Sequence, residues 1–225
     1  MLLQGPQSIP DEDRTISQTS VFRFETNGGL HLCIDFKIGK SLDDLPRLGL
    51  EWTLPAGFQH LEWLGRGPHE TYVDRRAGAE IGHHSGTVAE QYHPYVVPQE
   101  NGNKTDVRWI SVRIPESTGL LVTSAKAIEA SAAHWKQTDL YTATHANQIQ
   151  PREETYLRID IAQRGIGTAS CGPDTLPKYR VPTGRQTLDL VALPFSNLEK
   201  PERLASRLQQ PISKKSSPKK KAKKK

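Results

Sequence analysis

The feature that most restricts this chain is an alternation of period two that recurs along most of its length. In LHLCIDFKI, Leu30, Leu32, Ile34, Phe36 and Ile38 alternate with His31, Cys33, Asp35 and Lys37. Such a segment buries one face as a β-strand, and it places Cys33 on the polar face. Asn27 to Gly29 give the turn that joins this strand to the preceding VFRFE. The pattern returns in LGLEWTL, LEWLGRG, DVRWISVRI, GLLVTSA, TYLRIDIAQ and LDLVALPF. An all-β, mostly antiparallel protein is therefore expected. Only TDLYTATHA reads as helix, with Thr138 as N-cap and Asp139 in the first turn, where the helix dipole favours a negative charge. Gly78 to Gln99 and Gly165 to Pro182 read as irregular. Both exceed the ~12–15 residues usual for structureless loops, which makes them functional or packed against other chains.

Charge and cysteine content narrow the function classes. The net charge is +5, but eight lysines lie beyond Ser213 in SKKSSPKKKAKKK, so the body before them is net acidic. A DNA-binding fold carries its basic stripe on the domain itself, so no specific nucleic-acid partner is expected. The tail reads as a disordered polycation, with no aromatic or groove-reading element. Cys33 and Cys171 are the two cysteines, and neither belongs to a CxxC pair. Two free thiols in a reducing compartment are expected, with a single bridge between them as the alternative. The opening MLLQGPQSIPDEDR has no positive n-region, and no apolar run approaches the ~20 residues of a membrane span. A soluble, cytoplasmic chain without a membrane partner is the expectation.

Several constellations invite a chemical reading. The glycines of RGIGTASCG lack both the GxGxxG that opens a dinucleotide-binding helix and the Gly-Lys-Ser/Thr of a phosphate loop. Gly165 and Gly167 read instead as residues that permit a bend after the 155–163 strand. No local context gives Cys171 the activating His and oxyanion site of a nucleophile. His83 and His84 are adjacent and point apart, and the other histidines have no short ligand spacing, so no metal site is expected from this chain alone. Retaining glycoside hydrolysis needs two carboxylates ~5–5.5 Å apart. Glu62, Glu70, Asp74, Glu90, Glu100 and Asp106 are available, but Glu70 and Asp74 sit among Arg66, Arg75 and Arg76 and read as ion pairs that pin a loop. Spacing alone identifies no catalytic pair.

The run LEWLGRGPHETYVDR, then EQYHPYVVPQENGNKTDVRW, DLYTATHANQI and RGIGTASCGPDTLPKY, in that order, resembles the C-terminal domain of the large β-galactosidases of glycoside hydrolase family two. Its most specific pieces are W-L-G-x-G-P-x-E-x-Y-x-D-R, here Trp63 to Arg75, and P-Y-V-x-P-x-E-N-G, here Pro94 to Gly102. The resemblance implies a domain over residues 21–196 between a nonmatching lead, 1–20, and a linker and disordered Lys-rich tail, 197–225. It implies an antiparallel β supersandwich of galactose mutarotase-like architecture, N-terminally incomplete because family sandwiches begin earlier. An uncovered strand edge and apolar face would follow.

The resemblance also implies a role for the 164–179 loop, which in the family reaches the active site on a barrel domain. Cys171, with Ser170 and Gly172, becomes the substrate-binding candidate, while Asp174 and Tyr179 are expected anchors. Where other members place Trp, Cys171 would offer a small polarizable wall to the second sugar. Asn101, Lys104, Asp106 and Arg108 are secondary candidates, with ion pairing as their alternative role. The family's two catalytic glutamates, and its Mg²⁺ and Na⁺ ligands, lie on domains absent from this sequence. The chain is thus expected to bind no cofactor and to be inactive alone. Three readings remain: a β-galactosidase small subunit that completes an active site on a large subunit carrying the barrel, in a hetero-oligomer acting on β-galactosides; a stand-alone carbohydrate-binding or mutarotase-like module, which needs a His and a carboxylate converging on one sheet face; and a noncatalytic remnant.

Overall fold

The structure is a computed structural model that describes residues 2–3, 15–42, 44–167 and 172–208. Among these residues ten antiparallel strands form one hydrogen-bonded sheet: β1 (Leu2–Leu3), β2 (Ile16–Phe24), β3 (Leu30–Ile38), β4 (Arg47–Leu54), β5 (His60–Gly67), β6 (Glu80–Thr87), β7 (Lys104–Arg113), β8 (Thr118–Ala133), β9 (Thr155–Gln163) and β10 (Gly184–Ser196). The main path runs β1-β2-β3-β10-β8-β7-β5-β6, and a β9-β4 arm branches from β8.

Strand β8 makes the branch because it is 16 residues long. Residues 118–124 pair with β10, residues 129–133 pair with β9, and β7 runs along the opposite edge of both halves. The arm shares one core with the main path: Leu48, Leu157 and Ile159 pack in the same cluster as Leu32, Ile34, Phe36 and Ile38 of β3 and Leu188 and Leu190 of β10. Two layers packed face to face are thus built from a single sheet. The alternation read in β3 is the one buried here, and Cys33 lies on the opposite, half-exposed face between Asp35 and Asp189.

Four expectations are corrected. Gly78 to Gln99 is not wholly irregular, since β6 occupies Glu80–Thr87 as an edge strand. EIGHHSGT shows no apolar alternation because only one edge of the strand is paired and most of its side chains meet solvent. The nonmatching lead, 1–20, supplies the first part of β2, from Ile16 onward. Part of the stretch read as linker, Pro201–Leu208, is a helix, α2. Its Leu204, Ala205 and Leu208 pack on Trp109, Leu121, Leu193 and Phe195, sealing the outer sheet face, with Pro201 in the first turn where its missing N–H costs nothing. Helix α1 covers Gln137–Thr142 and is capped by Lys136, not Thr138. Asp139 is at its third position, accepting from Lys136 N at 2.9 Å and holding Arg152 through two 2.8 Å bonds.

Candidate functional site

The 164–183 segment is held from both of its described stems. Arg164 at the end of β9 donates to Asp44 at 2.5 Å, to Thr175 Oγ1 at 2.7 Å and to Asp174 at 2.6 Å. Asp174 also pairs with Arg180 at 3.4 Å. Gly165 N donates to Tyr179 O at 2.8 Å, which ties the start of the segment to its closing 3₁₀ turn. Asp74 completes the anchor: its carboxylate accepts from Ile166 N at 3.2 Å and Gly167 N at 2.8 Å. Glycine is needed at 165, because a Cβ there would lie 2.6 Å from Asp74 Cγ, and Gly167 has φ +66°. Gly172 is exposed, whereas Ser170 and Cys171 lie outside the described residues.

Glu70 organises the neighbouring loops. One carboxylate oxygen accepts from Arg75 at 2.6 Å and from the Tyr95 hydroxyl, and the other accepts from Gly102 N at 2.8 Å and Tyr72 OH at 3.4 Å. Asn101 is turned inward, donating to Gln99 O at 2.9 Å and accepting from His93 N at 3.4 Å. Asp106 has φ 54° where the β7–β8 register shifts, a bulge that turns its side chain toward Arg66 at 2.5 Å and Arg76 at 3.1 Å. Lys104 is buried with its ammonium over Trp63, and Arg108 is exposed. Of these four secondary candidates, Asn101 and Asp106 are therefore occupied in holding the loops.

The remaining carboxylates are also engaged. Glu100 pairs with Arg47 at 3.4 Å and accepts from Gln137 at 2.5 Å, and Glu90 accepts from Thr87 N at 2.7 Å. Glu62 faces His83 at 3.3 Å, Arg113 at 3.6 Å and His60 at 3.7 Å on the outer sheet face, where Glu202 of α2 lies 3.8 Å from His83. A His and a carboxylate do converge there, with Glu62 at ion-pair distance from His83, His60 and Arg113 together. Among the described residues no three His, Cys, Asp or Glu side chains are grouped to hold a metal ion, and no helix is long and apolar enough to cross a membrane.

Sequence reasoning missed Glu129, which stands on a cavity of about 660 Å³ with Ile161, Gln163 and the 177–183 stretch. Burial pushes its carboxyl up to about 7, although Asn103 Nδ2 donates to it at 2.7 Å and Gln163 N at 3.4 Å. A single Glu in AIEASAA at the polar-to-apolar change of β8 was the available signal. Four of the exposed large apolar side chains, Val96, Val97 and Leu176 on loops and Tyr141 on α1, sit on segments joined through Glu70, Asp74 and Glu100.

The chain matches a family described as "Beta galactosidase small chain" over residues 6–191. It is 35% identical over 147 residues to a beta-galactosidase of Priestia megaterium, covering 65% of this chain and 14% of that protein. It is 37% identical over 145 residues to a beta-galactosidase of Vibrio cholerae, covering 64% and 13%. The chain thus spans about a seventh of the length of these relatives. A solved structure assigned as an aldose 1-epimerase of Escherichia coli K12 superposes with a TM-score of 0.39 at 9% identity, covering 87% of this chain and 64% of that one.

Proposed function

The chain belongs to the beta galactosidase small chain family, and on that premise we propose that it completes the sugar site of a β-galactosidase whose catalytic glutamates lie on a separate barrel-bearing chain. Its substrates would be terminal β-D-galactosides such as lactose, cleaved with retention by the partner's paired carboxylates. Mg²⁺ and Na⁺ would be held by the partner's domains, and the complex would work in the cytoplasm. This chain would contribute the 164–183 segment, with Ser170, Cys171 and Gly172 against the sugar.

The observation that carries the reading is the double anchoring of that segment. Arg164 joins the two stems through Asp174 and Thr175, and Asp74 fixes the first stem from another loop. A segment that only linked β9 to β10 would not need charge-assisted bonds at both stems and two backbone amides on one carboxylate. The exposed Val96, Val97, Tyr141 and Leu176 on the same group of connected segments suit burial against a partner chain. The six carboxylates named from the sequence are all engaged in local contacts, which agrees with the hydrolytic pair residing elsewhere.

The test is hydrolysis of a chromogenic β-galactoside by the chain alone and after mixing with a barrel-bearing large chain. Activity only in the mixture supports the proposal, and silence in both rejects it. In the reconstituted enzyme, Cys171→Trp should change aglycone affinity more than Cys33→Ser does. Equal effects would remove Cys171 from the site.

A further inference from the structure

Lys104 opens β7 with its side chain directed inward, and the residue is only 1% exposed. Its Nζ lies 5.0 Å from the centre of the Trp63 ring. Among the described residues that nitrogen has no hydrogen bond and no ion pair. The nearby Glu70 carboxylate already accepts from Arg75, Tyr95, Tyr72 and Gly102 N. Burial holds the ammonium down to about 8, so it is charged at neutral pH. The face of Trp63 and the charge of Glu70 offer partial compensation. Where that cation reaches the adjoining cavity, it bonds water or a ligand oxygen that takes the water's place.

The space for one exists. Lys104 lines a cavity of about 330 Å³, bounded by Pro68, His69, Glu90 and His93. Gly86 of the edge strand β6 keeps it open, since a Cβ there would stand 3.0 Å from Gln91 Nε2 and 3.1 Å from Glu90 Oε2. The volume is at the small end of ligand sites, which span roughly 300–1,000 Å³, and suits one ring better than two.

The wall chemistry selects among occupants. An apolar molecule would leave Lys104 unpaired. An anion would meet the carboxylates of Glu70 and Glu90 on the same wall. A hydroxylated ring can accept from Lys104 and donate to Glu90 and to the His69 and His93 imidazoles. We propose that the cavity over Trp63 and Lys104 binds a single neutral polyhydroxylated ring, a monosaccharide. The inference needs neither the 164–183 segment nor a partner chain, so it stands or falls separately from the proposed function.

The experiment is calorimetric titration of the full chain alone with D-galactose, D-glucose and inorganic phosphate. It is repeated on Lys104→Met, which removes the ammonium, and Gly86→Val, which fills the mouth. Circular dichroism checks the fold of each. Saturable binding of at least one monosaccharide is expected, weakened roughly tenfold or more by each folded variant, with no saturable binding of phosphate. The proposal is overturned by absence of sugar binding to the unmodified chain, by sugar binding that survives the substitutions, or by phosphate binding that Lys104→Met abolishes. If Lys104→Met does not fold, Gly86→Val decides, because the atoms nearest its Cβ are the flexible ends of Gln91 and Glu90.

Discussion

Glu129 makes the stability of this chain depend on pH in an unusual direction. An ordinary glutamate releases its proton near 4.5, whereas burial keeps Glu129 protonated up to about 7. The groups that face it are the Asn103 and Gln163 donors, Arg47 on β4, which favours the charge, and Asp160 on β9, which opposes it. Between those two pH values the folded state holds a proton that the unfolded chain has released, so stability falls as pH rises and the cost is fully present above about 7. Each tenfold change in proton affinity is ~1.4 kcal/mol, which gives up to ~3 kcal/mol over the interval. Glu129→Gln removes the titration while keeping an acceptor for Asn103. With a urea m-value of ~2–3 kcal/mol/M, its midpoint relative to wild type should rise by about 1 M between pH 4 and pH 8. Lys104 carries the opposite sign at higher pH: its cost is present below about 8 and fades toward 10.5. A midpoint difference between Glu129→Gln and wild type that stays flat from pH 4 to pH 8, or moves in favour of wild type, would refute the reasoning.

Other perturbations follow from single contacts. Gly49→Ala would drive a Cβ into the Ile159 carbonyl and the Asp160 carboxylate, separating β4 from β9 at a cost of ~3 kcal/mol or more in urea unfolding. Leu204→Ala should cost ~2 kcal/mol if α2 seals the outer face, and an unchanged midpoint would show that the helix adds nothing to stability. Asp74→Ala should speed hydrogen exchange at the Ile166 and Gly167 amides roughly tenfold or more, with little change in β3 amides. Protection unchanged at both amides would remove Asp74 as their anchor.

The strands were legible where one face is buried and the other wet, as in β3 and β9, because there the side-chain period is the physical requirement itself. Strand β6 escaped because a polar edge with three glycines or histidines in its middle carries no such period. Helix α2 escaped because its apolar residues are few and follow a proline, although Leu204, Ala205 and Leu208 have helical spacing. In the candidate site, the ion pairing of Glu70 with Arg75 was readable from proximity in the sequence. The anchoring of Gly167 by Asp74 was not, since 93 residues separate them and only the folded sheet brings them together. The place of Lys104 beside Asn101 is readable in the sequence, but its burial over Trp63 is not, since the ring belongs to β5, about forty residues away.

The sheet branches at β8, and that arrangement governs how the protein can come apart. Its backbone carries the ladders of β7, β9 and β10 at once, so neither layer has a seam along which it could detach while the other stayed closed. Opening either layer exposes the apolar side chains of the other, which makes the two layers a single cooperative unit. The amides of residues 119–124 and 128–133 thereby become the last to meet solvent, and their exchange reports the unfolding of the whole sandwich.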